Sequence, residues 1–150
     1  MMHFRQITPR DVPALFAVRT AVKENALSLE QLAALGLTPS SVTAMLLTPH
    51  HGGWLAEDRG QVVGFAMGDA QTGELGVIAV LPEYEGRGIG SGLMDRVEAW
   101  LAGMGWSEIW LWTAPDPTLR AYAFYCRRGW VDWEFRERGR FMKKRFPPPQ

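Results

Sequence analysis

The run Glu85-Gly86-Arg87-Gly88-Ile89-Gly90-Ser91 has the residue types and spacing of an anion site. Six apolar residues, interrupted only by Gly76, lead towards it from Leu75 to Leu81, and a Pro82-Glu83-Tyr84 turn follows them. After it, Ile89, Leu93, Val97, Leu101 and Met104 fall on one stripe of an amphipathic helix. A glycine-rich turn between a strand and a helix leaves the N–H groups of the first helical turn unpaired, and the helix dipole favours negative charge there. Glycine adds no Cβ to hold a phosphate away. A phosphate-bearing cofactor is therefore expected. Two common phosphate loops do not fit. A Walker loop needs Gly-Lys five residues after its first glycine, where Gly86 is followed by Ser91. A dinucleotide GxGxxG begun at Gly86 or Gly88 needs its last glycine where Ser91 or Leu93 stands.

Other reactive residue types are sparse. His50-His51 could begin a metal site, but no nearby Cys, Asp or Glu spacing supports one, so the pair reads as loop and no metal is expected. Cys126 has no histidine beside it and reads as a small buried hydrophobe.

A length of 150 residues suits one domain with a real core. With 47% hydrophobic residues, 21% charged and a formal net charge of zero, the chain lacks the basic excess of a nucleic-acid or membrane binder. A lone cysteine excludes an internal disulfide and fits a reducing cytoplasm. The N-terminal residues form no secretory apolar stretch and no 18-residue apolar run occurs, so neither export nor a membrane-spanning helix is expected. Trp100, Trp106, Trp110, Trp112, Trp130 and Trp133 put most of the aromatic packing in the C-terminal half.

The elements that must position the glycine run read in order as follows. His3 to Ile7 is a strand, and Thr8-Pro9 opens a helix to about residue 24, with Val12, Leu15, Phe16, Arg19 and Val22 near one face. Ser28 and Gln31 form a capping box for a short helix ending at Gly36, and Thr38-Pro39 starts another to about Leu47. Strands follow at Trp54 to Glu57, Gln61 to Gly68 and Leu75 onward, then a helix of about 90–103. A fifth strand covers Glu108 to Thr113, a helix Leu119 to Arg128, and the last two strands Trp130 to Arg136 and Arg140 to Phe146. This order predicts an α/β (α+β) fold: a mixed central sheet of about seven strands with helices on both faces. One domain over 1–146 and a Pro-rich tail over 147–150 are expected.

Glu85 to Gly90 resembles the Q/R-x-x-G-x-G/A signature of the GNAT-type acyl-CoA N-acetyltransferases, with Glu85 where that family usually has Gln or Arg. Ala121 to Trp130 resembles the family's N-x-x-A-x-x-F-Y-x-x-x-G-F element, with Thr118 at the Asn position and Trp130 at the last Phe. The two lie in the right order at the expected distance.

The resemblance implies an enzyme that moves an acetyl group from acetyl-CoA to a primary amine by direct attack. The alternative is a non-catalytic acyl-CoA-binding sensor of the same fold. It implies that Gly86, Arg87, Gly88, Ile89, Gly90, Ser91 and Thr118 hold the cofactor. Strands four and five splay apart in such proteins, so the backbone of Ile78, Ala79 and Val80 is expected to guide the pantetheine arm. Tyr125 is the implied donor to the departing thiolate, a phenol having pKa about 10, with Tyr122 as fallback. Glu24, Asp69, Glu74 and Glu83 are candidate bases, of which Glu24, beside Asn25 in the segment that lines the acceptor site, is favoured. The acceptor, a small molecule or a peptide, stays open, as does a homodimer.

Overall fold

The structure, a computed structural model, describes residues 2–24, 26–136 and 139–147. Asn25, residues 137–138 and the tail beyond Pro147 lie outside the described residues. The chain enters on β1 (Met2–Gln6) and passes a 3-10 turn (Pro9–Asp11) into α1 (Val12–Ala21). The Asp11 carboxylate holds this entry: it accepts the Thr8 N–H at 2.7 Å and both Arg5 guanidinium nitrogens at 2.8 and 2.9 Å. α1 stops at Ala21, earlier than expected, because Val22 adopts an extended backbone. The capping box before α2 (Leu29–Ala34) forms as read, with Ser28 N–H on Gln31 Oε1 at 2.9 Å and Gln31 N–H on Ser28 Oγ at 3.1 Å. Thr38 caps α3 (Pro39–Leu46) in the same way.

Strands β2 (His51–Asp58), β3 (Gln61–Asp69) and β4 (Glu74–Val80) form an antiparallel meander. β2 begins three residues before the expected Trp54. Its two weak strand formers are there for space: a Cβ on Gly53 would lie 2.1 Å from Ala66 O, and one on Gly52 3.2 Å from the Trp100 ring. After β4 come α4 (Ile89–Gly103), β5 (Glu108–Thr113), α5 (Arg120–Arg127), β6 (Val131–Arg136) and β7 (Gly139–Arg145).

The seven strands make one sheet in the order β1-β2-β3-β4-β5-β7-β6. Helices cover both faces. On β3, Phe65 and Met67 share a cavity with Leu15 and Phe16 of α1. At the alternate positions, a Cβ on Gly64 or Gly68 would touch Ile89, Val97 and Leu101 of α4. The core runs through this layer, where Leu55, Val63, Leu93, Val97, Leu101 and Met142 have no exposed surface. Trp130, also buried, needs an acceptor for its indole N–H where a Phe would not. Glu98 of α4 provides it at 3.1 Å while taking Lys144 Nζ at 2.8 Å and Arg128 at 3.2 Å.

Every neighbouring pair of strands is antiparallel except β4 and β5, which are parallel and meet at one register pair, Glu74 with Trp110. Trp110 N–H reaches back to Gly73 O at 3.1 Å, and beyond that point the two strands diverge. The sheet is open on the C-terminal side of β4.

Candidate active site

A cleft of about 760 Å³ fills the gap between β4 and β5. Its walls are the β4 edge, Leu111 to Thr113 of β5, the glycine turn, and Phe124 and Tyr125 of α5. The β4 edge is polar through its backbone. Leu81 gives its N–H to Val63 O at 2.8 Å, so by the two-residue alternation of an antiparallel ladder Ala79 also faces β3. Ile78 and Val80 therefore turn their N–H and C=O groups to the open edge. Of the three residues expected there, two present hydrogen-bonding backbone and Ala79 presents its side chain to the α1 side.

The glycine turn sits at the wide end of the cleft. Gly86 and Gly88 have φ of +76° and +79°, where a side chain is strained, and a Cβ on either would meet nothing within 4 Å. Gly88 is the N-cap of α4, and the first α4 hydrogen bond runs from Gly92 N to Gly88 O at 3.0 Å. The N–H groups of Ile89, Gly90 and Ser91 therefore lack helical partners, next to the positive end of a 15-residue helix. Gly86, Gly88, Ile89, Gly90 and Ser91 all line the cleft. Arg87 and Thr118 are not among its lining residues: the Arg87 guanidinium lies 4.8 Å from the centre of the Tyr84 ring, and the Thr118 hydroxyl and N–H close a turn on Asp116 Oδ1 at 2.7 and 2.9 Å.

Glu85, the departure from the family pattern, is not left as a bare carboxylate. Arg120 at the start of α5 pairs with it at 2.9 Å. The N–H of Arg120 is in turn taken by Glu24 Oε2 at 2.8 Å. Glu24 thus lines the cleft but spends its carboxylate on the first turn of α5, joining the α1–α2 connection to the far wall. Arg120 went unnoticed in the sequence; a cation at the dipole-unfavourable end of a helix was its signal.

Tyr125 is 7% exposed and lines the cleft, and burial pushes its phenol up to about 12. The charge of Arg19 works the other way, and burial likewise lowers the pKa of Arg19 itself. Tyr122 does not share this position. Its hydroxyl donates to Asp132 at 3.2 Å and its ring lies under the Arg140 guanidinium, 4.2 Å away, which removes it as a fallback. Cys126 is exposed rather than buried.

Through Arg19, Leu32, Leu35, Leu37, Gly76, Val77 and Trp112, which line both, the cleft continues into a second cavity of about 400 Å³ between α1, α2, α3 and the sheet. Its walls are apolar, with Phe16, Val42, Met45, Phe65 and Met67 among them. Its polar floor is His51, Asp69 and Glu74, adjacent across β2, β3 and β4 in the register His51–Asp69–Glu74. Burial first, and then the charge of Asp69, raise the pKa of Glu74. Asp69 is lowered: burial pushes it up, but the Gln71 N–H, the His50 hydrogen bond and the two imidazoles outweigh that. The loop reading holds for His50, in the turn before β2, and is corrected for His51, which opens β2; the hairpin delivers Asp69 to both rings.

No helix among the described residues is long and apolar enough to cross a membrane. Comparison with known proteins agrees with this geometry. Residues 20–130 match the model of the acetyltransferase (GNAT) family. An uncharacterised N-acetyltransferase of Mycobacterium bovis and one of Mycobacterium tuberculosis are each 32% identical over 96 residues. That match covers 62% of this chain and 61% of theirs, so it spans less than two thirds of those relatives. Among solved structures, the PaiA N-acetyltransferase of Thermoplasma acidophilum in complex with coenzyme A superposes with a TM-score of 0.84 at 17% identity, covering 97% of this chain and 99% of that one. An acetyltransferase of the GNAT family from Staphylococcus aureus gives 0.79 at 16% identity, covering 97% and 99%. These two likenesses carry the fold. The strand divergence, the glycine turn on a helix N-terminus and the family match over most of its length together make this chain a member of the GNAT acetyltransferase family.

Proposed function

We propose that the protein transfers an acetyl group from acetyl-CoA to a primary amine by direct attack, within one catalytic domain over residues 1–146. The observation that carries this reading is the divergence of β4 from β5 after a single pair, with an anion-binding helix end at one end of the gap and a buried phenol inside it. The pyrophosphate lies on the N–H groups of residues 88–91, and the pantetheine arm follows the open edge of β4. There an N–H of Ile78 or Val80 polarises the thioester carbonyl.

The amine nitrogen attacks that carbonyl carbon and its proton passes to a base. We assign the base to Glu74 rather than Glu24. Its raised pKa holds a proton better at neutral pH, and its carboxylate faces the acceptor cavity, whereas Glu24 is committed to α5. The C–S bond then breaks, and Tyr125 donates a hydrogen bond to the sulfur. Magnitudes favour hydrogen bonding over outright proton transfer. An ordinary thiol has pKa about 8.5, so transfer from a phenol near 12 runs uphill by about 5 kcal/mol unless the thiolate is equally desolvated. Arg120 balances the Glu85 charge beside the phosphates.

The apolar walls of the second cavity support an acceptor whose amine sits on an apolar or aromatic body, since a polyamine would meet few acidic groups there. The lone Cys126 supports a reducing cytoplasm. The test is CoA release from acetyl-CoA across a panel of amines. Arylalkylamines and peptides with an apolar N-terminal residue are expected to turn over faster than spermidine. Absence of CoA release with every amine, in a protein that binds acetyl-CoA, would overturn the enzyme reading.

A further inference from the structure

We propose that His50, His51 and Asp69 form a binding site for a borderline divalent transition-metal ion of the Zn2+ class, with an open coordination position towards the acceptor cavity. One ligand atom from each residue lies within 4.8 Å of the others. His50 Nδ1 is 3.0 Å from Asp69 Oδ1, and His51 Nε2 is 3.6 Å from Asp69 Oδ2. Tetrahedral zinc with N and O ligands at about 2.0–2.1 Å sets those ligands about 3.3 Å apart, between the two distances observed. Small side-chain shifts would close the site.

A contact outside the three residues fits a metal-binding orientation of His51. Thr48 Oγ1 lies 2.7 Å from Met45 O and 2.9 Å from His51 Nδ1; with its hydrogen on Met45 O, it accepts from an Nδ1–H, the tautomer that frees Nε2 for a metal. In the neutral ring, Nε2 is then an acceptor, and it faces a carboxylate oxygen, another acceptor. A metal ion between them satisfies both, and a ligand His whose other nitrogen is fixed by an oxygen is the usual arrangement around zinc. Asp69 is also held, by the Gln71 N–H at 2.9 Å. His51 and Asp69 line the cavity, which leaves the fourth position open to it. Two His and one carboxylate suit Zn2+, Ni2+ or Co2+ rather than Ca2+ or Mg2+, which take oxygen ligands.

The inference stands apart from the acyl-transfer reading, because its test measures metal binding alone. The full chain, freed of metal with a chelator, is titrated with Zn2+ by calorimetry, and Co2+ absorption reports the geometry. One saturable equivalent and tetrahedral d–d bands are expected. His51→Ala and Asp69→Ala should each weaken Zn2+ by at least about tenfold. Thr48→Val, which keeps all three ligands, should weaken it by about 10–100-fold, the usual scale for losing a ligand's outer partner. His3→Ala, on β1, should change nothing. Lack of saturable binding, or equal affinity in wild type and in folded His51→Ala and Asp69→Ala proteins, would overturn the site.

Discussion

The two halves of the cavity system are built from different materials. The half proposed to bind the cofactor consists of backbone: the open edge of Ile78 and Val80 and the free N–H groups at residues 89–91. The half proposed for the acceptor consists of side chains, with Arg19, His51, Asp69 and Glu74 brought to an apolar chamber from α1, β2, β3 and β4. Backbone recognition needs only that certain positions stay small or extended, so it tolerates wide change elsewhere. Side-chain recognition depends on which residues meet, and it can be altered one residue at a time. A common donor and a variable acceptor call for that division.

Substitutions can break or sharpen the contrast. Gly88→Val should have the largest effect, because it puts a β-branched side chain at φ +79° in the turn proposed to hold the pyrophosphate. Calorimetry should find acetyl-CoA binding lost, and unchanged affinity in a folded variant would mean that the turn is not the phosphate site. Glu74→Gln comes next. It should leave cofactor affinity intact while kcat/KM falls by about 10³-fold, within the usual range for a general base. The ascending pH limb of the wild type, placed above the ordinary Glu value, should flatten.

The same variant has a stability consequence of opposite sign. A folded pKa raised above the unfolded one contributes stability at low pH that is lost as pH rises through the folded value. Glu74→Gln should therefore melt slightly higher than wild type at pH 7, and the difference should shrink as the pH falls towards the ordinary Glu range. If Glu24→Gln abolishes turnover and Glu74→Gln does not, the two assignments must be exchanged.

Tyr125→Phe should keep cofactor affinity and lower kcat by about 10²-fold; wild-type turnover would remove the phenol from the mechanism. The smallest effect is electrostatic. Arg120→Ala leaves Glu85 unbalanced and should weaken acetyl-CoA by up to about fivefold, the range of an exposed ion pair. Adding Glu85→Gln should recover most of the loss. If the double variant binds no better than Arg120→Ala, Arg120 contacts the cofactor directly.

This division also explains what could be read in the sequence. Glycines, an apolar run and a helix stripe are contiguous, so the turn at residues 86–91 and the strand and helix on either side of it were legible. So was the capping box at Ser28, whose two partners are three residues apart. The acceptor chamber was not. Glu74 reaches its floor only through the register of three strands, with an irregularity between Met67 and Gly68 that no local pattern announces. Asp69 meets His50 across 19 residues, which is why the histidine pair read as loop without an acidic neighbour. Glu24 drew attention as a polar helix end, but its partner lies 96 residues away in α5. Arg19 sat in plain view on the apolar face of α1, a charge among Val12, Leu15 and Phe16.

The one-pair joint between β4 and β5 has a consequence for assembly as well as for binding. Strands β1 to β4 and strands β5 to β7 form two blocks stitched at Glu74–Trp110 and bridged by α4. In the first block the β2–β3 and β3–β4 pairings are hairpins close in sequence, the kind of contact that forms early in folding, whereas β1 joins β2 across the three helices between them. A pantetheine arm laid along Ile78 and Val80 would act as a splint across the seam. At a hundred times its dissociation constant, such a ligand adds about 2.7 kcal/mol to the state it binds. The donor substrate would then be part of the scaffold while it is bound, and its departure as free CoA would loosen the seam at the point in the cycle when product must leave.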